Sequence, residues 1–328
     1  MIPLRFLPPL LLAVLLASTA AVHPAARAAA PQVRTQAPGW YRTMLGRFEI
    51  TALSDGTHAF PIDTVMSDIG HGAIDAALAR NDLHRPVQGS INAFLVNTGT
   101  QLVLIDTGAG SLYGSCCGKL LANLRASGYT PEQVDVVLLT HLHKDHVGGV
   151  LADGRPAFPN AVVRAAGTDA DYWLSPRQRA QAPAFLASFF DSARDALAPY
   201  AQAGRLTPFD AAAGAELVPG IRPVAEPGHT PGHSGYLVED GGQALLVWGD
   251  VVHVAALQLD TPAVTLKYDS DAARARATRA DLLARAAREH VLVGAAHIAF
   301  PGLGHVRRDG AGYAWLPLNY EAAPADPQ

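Results

Sequence analysis

The chain has 328 residues, 49% hydrophobic and 16% charged, a balance far from that of a disordered chain and sufficient for one large core or two modest ones. With 25 basic against 29 acidic residues it offers no basic field to nucleic acid or an anionic membrane, so a small neutral or weakly polar partner is expected. Its two cysteines, Cys116 and Cys117, are adjacent, which excludes a disulfide framework and a thiolate-rich metal site; the 13 histidines are the residues to follow.

Met1 to Arg5, a mostly apolar run from Phe6 to Val22 and the small residues Ala28-Ala29-Ala30 follow the plan of a secretory signal peptide, with cleavage expected near Ala30 and a single domain over residues 31–328. Pro8 and Pro9 interrupt the run, which falls short of the roughly 20 residues of a membrane-spanning helix. The leader implies an exported protein, periplasmic or secreted. In an oxidising compartment Cys116 and Cys117 could form a vicinal disulfide, form an intermolecular bridge or stay reduced, and the sequence assigns them no role.

Phe48 to Leu53, Ala93 to Asn97, Gln101 to Ile105 and Val134 to Thr140 are short apolar or β-branched runs bounded by Gly, Asp, Asn or Pro, and read as strands. Lys119 to Ala126 sets Leu120, Leu121 and Leu124 on one helical face before Gly128, giving strand, helix, strand. Asp169 to Gly204 is helical in composition and carries Tyr172, Trp173, Phe185, Phe189 and Phe190, aromatics of the kind that fill cores. Ile221 to Ala225, Ser234 to Val238 and Ala244 to Trp248 form a second round of strands, followed by an Ala/Arg helix from about Ser270 to His290 and a strand at Val291 to Ala295. No linker rich in Pro, Gly or Ser separates the rounds, so the expected fold is one α/β domain of two packed halves, sheets inside and helices outside.

Thr140-His141-Leu142-His143-Lys144-Asp145-His146-Val147-Gly148-Gly149 follows an apolar strand and places four metal-binding side chains in six positions. Alternation at the strand end sends His141 and His143 to one side, and the turn beyond can bring Asp145 and His146 to a second point, so one strand end could serve two metals. Imidazole and carboxylate suit zinc, whereas Cu(I) would want sulfur. Three further strand ends supply donors: His229 in the turn Glu226 to His233, Asp250 after Leu245 to Gly249, and His297 after Val291 to Ala296. Asp250 suits two cations because its two oxygens can reach both. Singly each is an ordinary polar strand end; in this order they reinforce one another. His233 is expected to orient His229 or the backbone, and His58, His71, His84 and His290 carry no assigned role.

The series T-H-x-H-x-D-H-x-G-G, G-H-T-P-G-H, G-D and A-H resembles the signature of the metallo-β-lactamase superfamily. Within it the chain is similar to the methyl parathion hydrolase group and its lactonase relatives over nearly all of residues 31–328, including Ala37 to Tyr41, Phe48 to Gly56 and Phe300 to His305. The resemblance implies a four-layer αββα sandwich with a dinuclear centre. His141, His143 and His229 would hold one Zn2+, Asp145, His146 and His297 the other, with Asp250 and a hydroxide between them. It implies hydrolysis by hydroxide attack, one metal polarising the carbonyl or phosphoryl oxygen and the other holding the departing oxygen. Asp145 would be the catalytic residue that holds the hydroxide or ferries its proton. Asp106 resembles the family's buried turn acid, and His305 could lie behind the ligands or at the surface. Relatives resemble dimers, which implies a homodimer, with the aromatic surface near Phe185 as a place for the interface.

The methyl parathion hydrolase group has an aromatic pocket mouth, and its positions match Tyr113, Trp173 and Phe189, a rim suited to flat apolar acyl or aryl groups. His253, three residues after Asp250, departs from the pattern: that group has an aliphatic residue there and quorum-quenching lactonases have Tyr. A donor at His253, with Leu266 and Tyr268 narrowing the pocket against a tetrahedral phosphotriester, places lactones and aryl esters first as substrates and phosphotriesters second. The alternatives are a dedicated methyl parathion or organophosphorus hydrolase, a β-lactamase, and an iron redox enzyme, whose sites resemble H-x-E-x-D where this chain has His143. A non-catalytic binder is disfavoured because all seven ligand positions are filled.

Overall fold

The computed structural model describes residues 30–322, so the signal-peptide reading lies, but for Ala30, outside the described residues. From Ala37 onward the chain lays down two large sheets, each with its strands side by side in chain order. The first contains β1 (Trp40–Leu45), β2 (Phe48–Phe60), β3 (Val87–Asn97), β4 (Leu102–Ile105), β5 (Val136–Leu138), β6 (Val162–Ala166) and β7 (Leu206–Phe209). β1 through β4 pair antiparallel and β4 through β7 parallel. The second contains β8 (Ile221–Ala225), β9 (Ser234–Asp240), β10 (Gln243–Val247), β11 (Leu292–Gly294), β12 (Leu303–Asp309) and β13 (Gly312–Pro317), with β10 and β11 parallel and its other neighbours antiparallel.

Parallel neighbours need crossover connections, and these decide where the helices go. α1 (His71–Arg80) lies between β2 and β3; α2 (Leu120–Ala126) carries β4 to β5; α3 (Gly167–Trp173) and α4 (Ala184–Gln202) lie between β6 and β7; α5 (Ala272–Glu289) carries β10 to β11. The remaining parallel step, β5 to β6, is crossed by the segment that holds the His141 to His146 motif.

Strand alternation sorts the apolar side chains into three layers. Val103, Ile105 and Phe94 of the first sheet meet Tyr236, Val238, Leu245 and Val247 of the second in the central layer. Leu102 and Leu104, one residue out of phase, face Leu120, Leu124, Phe190 and Leu197 of α2 and α4. Leu237, Leu246 and Val293 face Leu282, Leu283 and Ala286 of α5. The result is the helix, sheet, sheet, helix sandwich expected from sequence. α5 begins at Asp271, whose carboxylate accepts the Arg274 N–H at 3.0 Å, satisfying one of the four free donors of its first turn.

The differences from the sequence reading are local. The helical stretch after Asp169 is divided, with a short helix at Pro176–Gln181 and α4 starting after Pro183, because proline supplies no N–H to continue a turn. The strand expected at Val134 to Thr140 shrinks to Val136–Leu138, since the Thr140 N–H goes to the Asp106 carboxylate. β1, β6, β7, β12, β13 and α1 were not anticipated.

Candidate metal centre

The carboxyl ends of β5, β8, β10 and β11 converge where the two sheets meet, and each delivers donors. His141 and His143 lie in coil beyond β5, so it is not strand alternation that aligns them. Their shared turn is instead pinned by the Leu142 N–H, which donates to Asp169 Oδ2 at 3.0 Å. Asp145 and His146 occupy the single helical turn Lys144–Val147. His229 stands in the turn after β8, Asp250 follows β10, and His297 follows β11.

All seven expected donors are buried; the ligand atoms of His141, His143, His229 and Asp250 form one set, those of Asp145, His146 and His297 a second, and Asp250 joins His253 and His297 in a third. Asp250 Oδ2 lies 3.5 Å from His141 Nε2 and 3.2 Å from His229 Nε2. His143 Nδ1 is 3.0 Å from the same His229 nitrogen. Asp250 Oδ1 lies 3.0 Å from both His146 Nε2 and His297 Nε2, and Asp145 Oδ2 is 3.6 Å from the latter. One carboxylate therefore faces two histidine groups with its two oxygens.

Most of these rings are fixed from behind. His146 Nδ1 donates to Asp106 Oδ2, His229 Nδ1 to Asp269 Oδ1 and His297 Nδ1 to the Ser90 carbonyl, each at 2.8 Å. Donation at Nδ1 leaves Nε2, directed at Asp250, as the nitrogen that gives up its proton to a metal, the tautomer that a metal ligand requires. His141, His143 and His146 each keep a buried Nε2 without a hydrogen-bond partner, as Asp250 keeps its Oδ1. Orphaned buried nitrogen and carboxylate donors at this spacing fit a borderline divalent cation such as zinc.

Burial is the largest single influence on the titration of His141, His143, His146, His229, His297 and Asp250. It drives His141 and His143 well below the ordinary histidine range. At His146 it is outweighed by Asp250 and Asp106, which hold that ring well above the range, and at His229 by Asp250 and Asp269, which raise it to about 9. Asp250 is held well below the usual carboxylate range because the surrounding histidines overcome its burial.

Above the donors lies a cavity lined by His58, Phe60, Tyr113, Asp145, Phe189, His253 and Tyr268, among others. His253 stacks on His297 at 5.0 Å and brings Nε2 within 2.9 Å of Asp250 Oδ2. Burial, with the Asp145 carboxylate nearby, pushes the Tyr113 hydroxyl well above its ordinary range and keeps it protonated. Two residues expected at the pocket stand elsewhere. Trp173, at the end of α3, is 1% exposed and lies behind His143, edge to face at 4.8 Å, because the last turn of α3 points inward. Leu266 is buried in the apolar cluster around Phe60, Val65 and Leu257, against which Tyr268 packs, and its N–H donates to Asp269 Oδ2 at 2.9 Å. His233 reaches the main chain of Asp250, His305 pairs with the Val291 carbonyl, and Cys116 and Cys117 are free thiols. Sequence reasoning did not find Asp269, Asp169, Ser90 or the wall residues His58 and Phe60. Only Asp106 had been marked, and only as a structural acid.

Histidine and aspartate donors gathered at the strand ends of an αββα sandwich define a metal-dependent hydrolase. The chain belongs to the metallo-beta-lactamase superfamily, whose sequence profile matches residues 86–297. It is similar to the hydrolase AbOPH of the beta lactamase superfamily, with 38% identity and a TM-score of 0.83 over 88% of this chain and 100% of that one. It is also similar to AidC, a dizinc quorum-quenching lactonase solved with a product, N-hexnoyl-L-homoserine, with 25% identity and a TM-score of 0.79 over 86% of this chain and 98% of that one. The Beta-lactamase-like protein 2 homolog of Caenorhabditis elegans is 33% identical over 96 residues, which span 29% of this chain and only 28% of that relative.

Proposed function

We propose that the protein is a dinuclear zinc hydrolase that opens lactones and cleaves aryl esters, with phosphotriesters as secondary substrates. The observation that carries the reading is the divided Asp250 carboxylate, Oδ2 toward His141 and His229 and Oδ1 toward His146 and His297, beneath an aromatic cavity. His141, His143 and His229 would hold one ion with Asp250, and Asp145, His146 and His297 the other. Bound there, a zinc pair supplies a nucleophile at neutral pH and a Lewis acid for the acyl or phosphoryl oxygen.

The chain's own residues do the rest. Asp145, on the cavity floor beside Tyr113, takes a proton at Oδ1 or Oδ2 and returns it to the departing alkoxide or phenoxide. Phe189 and Tyr268, with centroids 6.0 Å apart, form one aromatic wall and exclude water around a flat acyl or aryl group. His253 lines the same cavity and presents its Nε2–H beside Asp250, where a lactone or ester oxygen can share it. Similarity to a dizinc lactonase over 86% of the chain supports this substrate class.

The test is kcat/KM on dihydrocoumarin, an N-acyl-homoserine lactone and methyl paraoxon side by side, with metal content determined on the same sample. Dihydrocoumarin and the acyl lactone should lead with two zinc ions per chain; a lead for methyl paraoxon reverses the order. Export is proposed as well, and amino-terminal sequencing of the protein recovered from its native compartment should begin near Pro31.

A further inference from the structure

Glu226 is 1% exposed, and neither of its carboxylate oxygens has a hydrogen-bond partner among the described residues. It faces His233, whose Nδ1, likewise without a hydrogen-bond partner, lies 3.5 Å from Oε2. Across the ring, His233 Nε2 accepts the Asp250 main-chain N–H at 2.9 Å. A neutral ring that accepts at Nε2 must carry its proton at Nδ1, the nitrogen turned toward Glu226. Neither side chain lies in the substrate cavity. Both reach their places across glycines: a Cβ at Gly235 would run into the Glu226 carboxylate, and one at Gly249, where φ is +51°, would sit 2.6 Å from His233 Nε2. The Glu226 N–H also donates to the His233 carbonyl at 2.9 Å, so the two residues are held opposite each other by the main chain.

We propose that Glu226 and His233 form a positioning relay for Asp250. The carboxylate fixes the Nδ1–H tautomer of His233, and the ring in turn fixes the main chain from which the Asp250 carboxylate is aimed. The relay's effect on metal binding rests on the dinuclear reading above. Because Asp250 faces both histidine groups, loss of the relay should weaken both ions together, whereas loss of Asp269, which stands behind His229 alone, should weaken one.

In the metal-free full-length chain, long-range proton–nitrogen NMR should find the His233 proton on Nδ1 and Nε2 acting as acceptor. A proton on Nε2 overturns the relay, whatever the metal does. Glu226→Leu should lose the fixed tautomer and weaken uptake of both zinc ions, on the order of 10- to 100-fold. Glu226→Gln, whose amide oxygen can face Nδ1–H as the carboxylate does, should restore most of that affinity. Native affinity for both ions in a folded Glu226→Leu overturns the proposal. Should that variant fail to fold by circular dichroism, the tautomer in the unsubstituted chain decides. An unsubstituted chain that takes up no zinc contradicts the dinuclear reading but not the relay, which is read without metal.

Discussion

Behind His146, His229 and His297 stand Asp106, Asp269 and the Ser90 carbonyl, each 2.8 Å from a ring Nδ1, whereas His253 Nδ1 and His58 Nε2 are buried with no partner. The first set has one tautomer and one orientation. In the second set one nitrogen of each ring stays unpaired, at a cost of about 1–3 kcal/mol per buried polar atom, and His253 is held only at its other nitrogen, 2.9 Å from Asp250 Oδ2. A ring anchored from behind serves an ion whose position must not change. A ring with one nitrogen free can serve a substrate whose polar atoms differ from one ester to the next. The cluster and the wall thus divide fixed geometry from selectivity.

The largest effect expected is from removal of metal. Chelation should reduce hydrolysis to background, and added zinc should restore it, while the far-UV dichroism changes little because the three apolar layers do not contain the donors; the thermal midpoint should fall by the linked binding energy. Next is Asp145→Asn, expected to lower kcat by about 10²- to 10⁴-fold with a much smaller loss of stability. Equal loss of both would place Asp145 among structural residues. Asp269→Ala removes the partner behind His229 and should weaken one ion by about 10- to 100-fold, read by metal titration. His253→Leu should leave metal content unchanged and lower the lactone-to-phosphotriester ratio of kcat/KM by about 5- to 10-fold, the worth of one hydrogen bond. A change in metal content instead would move His253 from the wall to the cluster. The smallest effect belongs to Phe185→Ala at the half-exposed outer edge of the aromatic wall, where stability should change by no more than about 0.5 kcal/mol.

The donors were legible because each ends an apolar strand and four of them fall within six residues. Their anchors were not. Asp269 is 40 positions from His229, and Ser90 contributes a main-chain carbonyl, which any residue carries. The central strands were legible from unbroken apolar runs such as Leu102 to Ile105, which are buried on both faces. Edge strand β7 contains Pro208 and exposed Thr207, and α1 buries only Ile74, Ala77 and Leu78, so neither had a pattern to read. Trp173 and Phe189 looked alike as helical aromatics. Which one faces the cavity depends on where α3 stops and α4 begins, because each residue turns the helix by about 100°.

Asp169, on the first turn of α3, receives the Leu142 N–H at 3.0 Å with one oxygen and the Gly232 N–H at 2.9 Å with the other. Leu142 belongs to the ligand turn of the first sheet and Gly232 to that of the second. A single side chain thus closes a short mechanical circuit between the two ligand turns, reinforcing direct bonds between the halves such as Ser234 N–H to the Thr140 carbonyl at 2.9 Å and the Tyr236 hydroxyl to the Leu139 carbonyl at 2.6 Å. Shear of one sheet across the other would have to stretch both bonds at once. Asp169 thereby acts as a jig for the two ligand turns, and the aromatic wall above can vary without the distance between the two halves of the centre varying with it.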